Sequence, residues 1–194
     1  LIPRQDTEIL VEEVLKELHD GMRVLDMCTG SGCILLSLLH YSNDCEGLGV
    51  DLSAEALEVA GRNVLKVLTP EKAEHAHFLQ SDLFEKVEGK FEIIVSNPPY
   101  IASAEVEKLM PEVRDHEPRM ALDGTEDGLH FYRRIIEEAG KHLVSSGMLF
   151  FEIGYDQGQA VSELMRTEGY CDVQVVQDYA GLDRVVLGTY CERN

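Results

Sequence analysis

The apolar positions change their period several times along the chain, and each change marks an element. Ile9, Leu10, Val14, Leu15 and Leu18 recur at helical spacing behind Asp6-Thr7-Glu8, a polar start that reads as an N-cap. Met22 to Asp26 reads as a strand, followed by a glycine-rich turn and a helix from about Gly32 to Tyr41. Leu48-Gly49-Val50-Asp51 reads as a second strand, and Ser53 is placed to cap a helix over Ala54 to Leu68. Ala76 to Leu79 and Phe91 to Ser96 are the next two strands. An amphipathic helix is predicted over Gly128 to Leu143, then a strand over Met148 to Ile153 and a helix over Gly158 to Gly169. Val173 to Val176 and Val185 to Leu187 read as a closing antiparallel hairpin. Strand alternating with helix predicts an α/β fold: a doubly wound, mostly parallel seven-stranded sheet in one domain spanning 1–194, without repeat or linker.

Composition narrows the setting. The 194 residues are 44% hydrophobic, enough for one sizeable core. No apolar stretch approaches the ~20 residues of a membrane span, and no signal peptide is visible. A net charge of −19 argues against wrapping duplex nucleic acid and suits a basic protein partner. The five cysteines are an odd count without a Cys-x-x-Cys pair, the pattern of reduced thiols in a cytoplasmic protein. His75 and His77 alternate on or beside a strand while the other histidines are scattered, so no metal site is expected. The chain opens Leu1-Ile2-Pro3-Arg4, already inside a patterned segment, and is read as lacking a native N-terminal part.

Candidate chemistry sits at strand ends, where open α/β sheets collect their ligands. Asn97-Pro98-Pro99-Tyr100 follows directly on the strand Phe91 to Ser96. Each proline lacks an N–H and drives the residue before it into an extended conformation, so the loop is stiff and its carbonyls have no neighbouring N–H to turn back on. Asn97 adds a side-chain acceptor and Tyr100 a flat aromatic face. Such a loop is suited to grip a planar group bearing an NH2.

The first strand leads into Asp26-Met27-Cys28-Thr29-Gly30-Ser31-Gly32, where Gly30 and Gly32 allow close backbone approach and the next helix presents its N-terminal amides. Asp51 ends the second strand, where an acid accepts both hydroxyls of a ribose, and Asp82 ends the third in Gln80-Ser81-Asp82-Leu83-Phe84. A dinucleotide fold would want a third glycine at the position of Leu35. Asp26, an acid just before the glycines, suits the ammonium of a methionine moiety instead. The expected cofactor is S-adenosylmethionine, leaving as S-adenosylhomocysteine.

In this order the motifs resemble the HemK/PrmC-type enzymes, class I methyltransferases with a Rossmann-like sheet. The resemblance rests on Leu1-Ile2-Pro3-Arg4-Gln5-Asp6-Thr7-Glu8, the Asp26 to Gly32 turn, Gly49 to Ser53, Ser81 to Phe84, Asn97 to Ile101 and Glu117-Pro118-Arg119-Met120-Ala121-Leu122-Asp123-Gly124. It implies a protein-glutamine methyltransferase acting on the Gly-Gly-Gln loop of peptide chain release factors. By the same resemblance Cys28, Thr29, Gly30, Ser31 and Gly32 hold the methionine end, Asp51 the ribose, and Asp82 and Leu83 flank the adenine. Asn97, Pro98, Pro99 and Tyr100 receive the substrate amide, Asn97 also bordering the cofactor. The resemblance implies a small helical N-terminal domain in such enzymes, which this chain is expected to lack. Three positions depart from the pattern: Cys28 and Thr125 stand where glycines are usual, and Gln5 where a proline is.

Neighbouring readings share the tetrapeptide. A ribosomal-protein glutamine is one alternative substrate, and the exocyclic amine of adenine another, which the net charge of −19 disfavours. A non-catalytic cofactor-binding subunit would have less reason to keep both Asn97 and Asp51. Glu105, Glu107, Glu112, Asp115 and Glu117, against Lys108 and Arg114, form an acidic segment that either steers a basic substrate loop or is merely solvated.

Overall fold

A computed structural model describes residues 6–114 and 117–191. The Leu1 to Gln5 stretch of the first motif, Asp115 and the Glu112 side chain lie outside the described residues. Helix α1 (Thr7–Glu17) leads into β1 (Arg23–Met27), α2 (Cys33–Tyr41), β2 (Glu46–Asp51), α3 (Ala54–Val67), the single turn α4 (Pro70–Ala73) and β3 (Ala76–Gln80). Next come β4 (Phe91–Ser96), two short helices α5 (Ser103–Val106) and α6 (Pro111–Arg114), and a 3₁₀ turn (Arg119–Ala121). The chain closes with α7 (His130–Ala139), β5 (Leu143–Glu152), α8 (Gly158–Thr167), β6 (Tyr170–Gln177) and β7 (Asp183–Tyr190). The sheet order is β3-β2-β1-β4-β5-β7-β6. β1 to β5 pair in parallel, and β7 runs antiparallel to both β5 and β6.

Strand alternation sorts the apolar residues into two cores. Leu25, Ile94, Leu149, Phe151 and Val186 face α7 and α8 through Tyr132, Ile135, Ile136, Val161 and Met165. Their neighbours Val24, Ile93, Val95, Phe150 and Val185 face α1 and α2 through Leu10, Val14, Leu35 and Leu38. A central strand buried on both faces needs continuous apolar residues, which is why β4 reads Phe-Glu-Ile-Ile-Val-Ser rather than alternating with charge. The order reverses between β1 and β4, and the carboxyl ends of those two strands flank the resulting crevice.

Several expectations are corrected in detail. The helix predicted over Gly128 to Leu143 is shorter: Gly140 sits against the Tyr190 ring, where an added Cβ would be 2.6 Å away, and Leu143 instead begins β5. Leu143 continues the helical spacing of Ile136 and Ala139 and so imitates one more turn. Asp6 makes no side-chain cap for α1; its carboxylate lies 3.5 Å from Arg184 of β7. Ser53 does cap α3, accepting the Ala56 N–H at 3.2 Å. The cysteines are not all free thiols. Cys171 and Cys191 form a disulfide with Cα atoms 6.0 Å apart, while Cys28, Cys33 and Cys45 remain free. Antiparallel pairing sets Cys171 opposite Thr189, which brings the nearby Cys191 alongside despite 20 residues of intervening chain. Among the described residues no helix is long and apolar enough to cross a membrane.

Thr125, one of the departures from the family pattern, has φ 70° and an exposed side chain. A β-branched residue in the left-handed region carries roughly 1–2 kcal/mol of strain, partly offset by the extra entropy a glycine loses on folding. Thr125→Gly is therefore expected to raise the melting temperature by about 1–3 °C. A lowered midpoint in thermal unfolding would contradict it. Cys28, with φ 62°, is strained in the same way but also packs against the core, so its replacement exchanges strain for lost contact.

Candidate active site

Beyond β1 the chain turns through Cys28 to Gly32 into α2. Asp26, within β1, is fully buried. Its Oδ2 accepts the Thr29 hydroxyl at 2.6 Å and the Leu35 N–H at 3.3 Å, tying the turn to the first residues of the helix. Its Oδ1 is also buried and has no hydrogen-bond partner among the described residues. Burial pushes the Asp26 carboxyl up to about 7; the Thr29 and Leu35 bonds pull it down, and the Asp51 charge adds to the rise. The folded protein thus holds this proton more tightly than the unfolded chain, whose ordinary value is 3.8. From this group alone, stability falls as pH rises between those two values and is level above. Asp26→Asn keeps an acceptor for Thr29 and Leu35 and removes the buried charge. Its thermal advantage over the native protein should be smallest near pH 4 and reach about 3–6 °C by pH 8. Melting curves at the two pH values check this, and an advantage that does not change with pH would contradict it.

The rest of the turn is built around the end of β2. Asp51 Oδ2 accepts the Gly30 N–H at 2.8 Å, and Oδ1 accepts the Ser53 N–H at 2.9 Å. One carboxylate therefore ties the turn to the start of α3. Asn63 of α3 donates to the Ser31 carbonyl at 3.0 Å. Gly32, at φ 78°, precedes α2, and a Cβ there would meet Ala60 at 3.2 Å and Leu36 at 3.3 Å. Desolvation and the neighbouring carboxylates of Asp51 and Asp26 hold the Cys28 thiol well above its ordinary range, so it stays neutral. Past β3, Asp82 pairs with Arg134 of α7 at 3.0 Å, and Leu83 is buried at φ 47°. The unpartnered Asp26 oxygen and the second lone pairs of the Asp51 oxygens fit a ligand that carries both a cation and a vicinal diol.

The proline loop leaves β4 beside this turn. Pro98 and Pro99 are buried, while Asn97 and Tyr100 are half-buried. The later motif supports the loop from outside. The Ile101 N–H donates to Leu122 O at 3.0 Å, and the Gly124 N–H to Ile101 O at 2.8 Å. A Cβ on Gly124 would lie 2.8 Å from both the Pro99 oxygen and the Tyr100 Cα, so only glycine fits against the loop. Asp123 anchors that segment, accepting the Ser103 hydroxyl and the Thr125 N–H, and Ser103 chiefly holds its carboxyl below the usual carboxylate range. Gln157 adds a brace, its Nε2 donating to Tyr100 O at 3.0 Å and its Oε1 accepting the Gly154 N–H at 3.0 Å.

A pocket opens against this loop, with Asn97, Pro98, Tyr100 and Leu122 on its wall. Thr7 and Glu152 also line it, and sequence reasoning missed both. Glu152 ends β5 at 1% exposure, and its Oε2 accepts the Thr7 hydroxyl at 2.7 Å. Arg184 holds the adjacent backbone, donating to Ile153 O at 3.4 Å while pairing with Asp178 at 3.1 Å. The one available signal was an acid closing an apolar strand, the same signal that singled out Asp51. Two acids of the acidic segment are paired among the described residues. Glu105 pairs with Lys108 at 2.6 Å, and Arg119 pairs with Glu107 at 2.7 Å and Asp123 at 3.2 Å. Exposed pairs of this kind contribute little to stability.

Residues 5–113 match the family model of the methyltransferase small domain. The release factor glutamine methyltransferase of Thermodesulfovibrio yellowstonii is 44% identical over 192 residues, covering 96% of this chain and 67% of that protein. The enzyme of the same name from Clostridium acetobutylicum is 46% identical over 191 residues, covering 96% and 66%. The chain thus spans about two thirds of the length of these curated relatives. Among solved structures, the release-factor-specific protein-(glutamine-N5) methyltransferase of Alicyclobacillus acidocaldarius superposes with a TM-score of 0.57 at 30% identity, covering 98% of this chain and 95% of that one. With sequence, fold and solved structure in agreement, the chain belongs to the release factor glutamine methyltransferase family.

Proposed function

We propose that this chain transfers the methyl group of S-adenosylmethionine to the side-chain amide nitrogen of a glutamine in the Gly-Gly-Gln loop of a peptide chain release factor. The observation that carries the reading is the neighbourhood of two strand ends. Met27 and Ser96 are register partners, and the Ser96 hydroxyl donates to the Met27 carbonyl at 2.7 Å. One residue beyond each, Cys28 opens the glycine turn and Asn97 opens the proline loop. A ligand cradled by the first therefore meets a planar NH2 group gripped by the second.

In this reading Asp26 to Gly32 hold the methionine end, Asp51 accepts the ribose hydroxyls, and Asp82 and Leu83 border the adenine. When bound, the cofactor supplies a methyl group on a positively charged sulfur, a strong electrophile with a neutral leaving group. An amide nitrogen is a poor nucleophile, because the conjugation behind its ~18–20 kcal/mol rotation barrier withdraws the lone pair. The Asn97 side-chain oxygen and the Pro98 carbonyl accept the two amide hydrogens and aim the nitrogen at the methyl. The N–CH3 bond would form as the S–CH3 bond breaks, S-adenosylhomocysteine would leave as the neutral thioether, and the nitrogen would give up one proton to solvent. Each such bond contributes roughly 3–4 kcal/mol to the transition state, and positioning adds several more. Buried Pro98 and Pro99 keep the acceptors in place, and Tyr100 packs on the amide plane.

We read the relatives' length beyond this chain as a small N-terminal helical domain, whose contact area sets affinity for the release factor more than the chemistry. A translation-factor substrate places the reaction in the cytoplasm. The test is mass spectrometry of a release factor incubated with this protein and S-adenosylmethionine. A gain of one methyl group mapped to the glutamine of the Gly-Gly-Gln loop is expected; an unmodified factor, or a methyl on another residue type, would refute the reading.

A further inference from the structure

We propose that cofactor binding is proton-linked through Asp26: its carboxyl holds a proton in the free protein and releases it to solvent when a cationic ligand fills the neighbouring turn. The inference rests on the functional reading above, which puts the methionine ammonium at that turn.

The geometry makes a bare charge costly here. Asp26 is fully buried, and both donors that reach it, the Thr29 hydroxyl at 2.6 Å and the Leu35 N–H at 3.3 Å, go to Oδ2. Oδ1 is buried with no hydrogen-bond partner among the described residues. An ionised carboxylate would leave that oxygen unanswered in a poorly solvated space. A proton on Oδ1 removes the charge and keeps Oδ2 as the acceptor for both donors.

The surroundings supply no compensating cation. Asp51 at the end of β2 is a second acid, engaged with the Gly30 and Ser53 N–H groups. Cys28 in the turn and Cys33 at the start of α2 are thiols that burial holds above their ordinary range, so both stay neutral. Two further acids act on those thiols, Glu152 of β5 on Cys33 and Asp82 on Cys28, and Asp82 is paired with Arg134. β2 and β4 set Gly49 and Val95 beside Asp26, and α1 faces this side of the sheet with Leu10 and Val14. None of these neighbours brings Asp26 a positive charge.

The proton affinity of the group, raised to about 7 chiefly by burial, agrees with this arrangement. A positive charge brought within about 4–6 Å favours the ionised form and lowers that value toward the ordinary carboxylate range. The sign follows. Below the raised value binding must expel the proton, so affinity rises with pH until the free protein is already ionised at Asp26.

Calorimetry of S-adenosylmethionine binding at pH 6, repeated in buffers of different ionisation enthalpy, counts the protons released. The native protein should release at least about half a proton per ligand, and its affinity should rise about tenfold between pH 5.5 and 7. The ligand's own amino group, ordinarily at about 7.7–8.0, stays charged through that window. Asp26→Asn keeps an acceptor for Thr29 and Leu35 but has no proton to lose; it should release less than about 0.1 proton, with affinity nearly independent of pH. Difference infrared spectra of the native protein give a reading that needs no variant: the band of a protonated carboxyl should disappear as ligand is added at pH 6. Binding with neither proton release nor loss of the band overturns this inference alone. Release that persists in Asp26→Asn overturns it too, since the proton would then belong to another group. A native protein that binds no S-adenosylmethionine overturns the functional reading and this inference with it.

Discussion

Asn97→Ala is expected to lower turnover by roughly 10²–10³ while leaving S-adenosylmethionine affinity within a few fold, the loss typical of one group that acts on the transition state. Asn97 lines the pocket with Pro98, Tyr100 and Glu152, whereas the turn from Cys28 to Gly32 is held together by Asp26, Asp51 and Asn63. Removing the side chain leaves one amide hydrogen without an acceptor at the moment the nitrogen must give up its conjugation. The backbone is not expected to follow, because Pro98 and Pro99 stay buried and the neighbouring Ile101 remains bonded to Leu122 and Gly124. Calorimetry for the cofactor beside single-turnover methylation of a release factor separates the two effects. Equal losses in both would move Asn97 into the cofactor pocket.

The parts of this site that local sequence announces are those built within one strand and its loop. Asn97 to Tyr100, Asp26 to Gly32 and Asp51 each follow an apolar run, and the parallel sheet brings their strand ends to one side. The mostly parallel character of the sheet was legible in the same way, since strands that alternate with helices cross over to run in parallel. What stayed hidden was formed by distant partners. Thr7 meets Glu152 across 145 residues, and Gln157 reaches Tyr100 across 57. Arg184 meets Asp6 through the placement of α1 against β7, which no local spacing encodes. The early end of α7 and the Cys171–Cys191 pair were obscured for the same reason: a Tyr190 ring and a strand register decide them. Family resemblance added something spacing could not. It identified Cys28 and Thr125 as replacements for glycine, and both adopt positive φ.

Asp51→Ala should produce the largest loss of cofactor binding of any single substitution in the turn. Two ribose hydroxyls would lose a charged acceptor at about 1.5–3 kcal/mol per bond. Together that is roughly 3 kcal/mol or more, an affinity decrease of at least about 10²-fold. A second effect adds to it, because the same carboxylate accepts the Gly30 N–H at 2.8 Å and the Ser53 N–H at 2.9 Å. Alanine therefore loosens the turn that is to receive the methionine end as well as removing the ribose contact. Asp51→Asn tells the two apart. Its side-chain oxygen still accepts one backbone N–H, but the charge is gone and its NH2 group cannot accept from a hydroxyl. If the ribose contact dominates, Asn and Ala should weaken S-adenosylmethionine to a similar extent. If bracing of the turn dominates, Asn should recover much of the native affinity and Ala little. Calorimetric titration of both variants with S-adenosylmethionine reads the difference, with thermal melts as a check that each is folded. Native-like affinity in folded Asp51→Ala would show that the ribose does not lie at the end of β2.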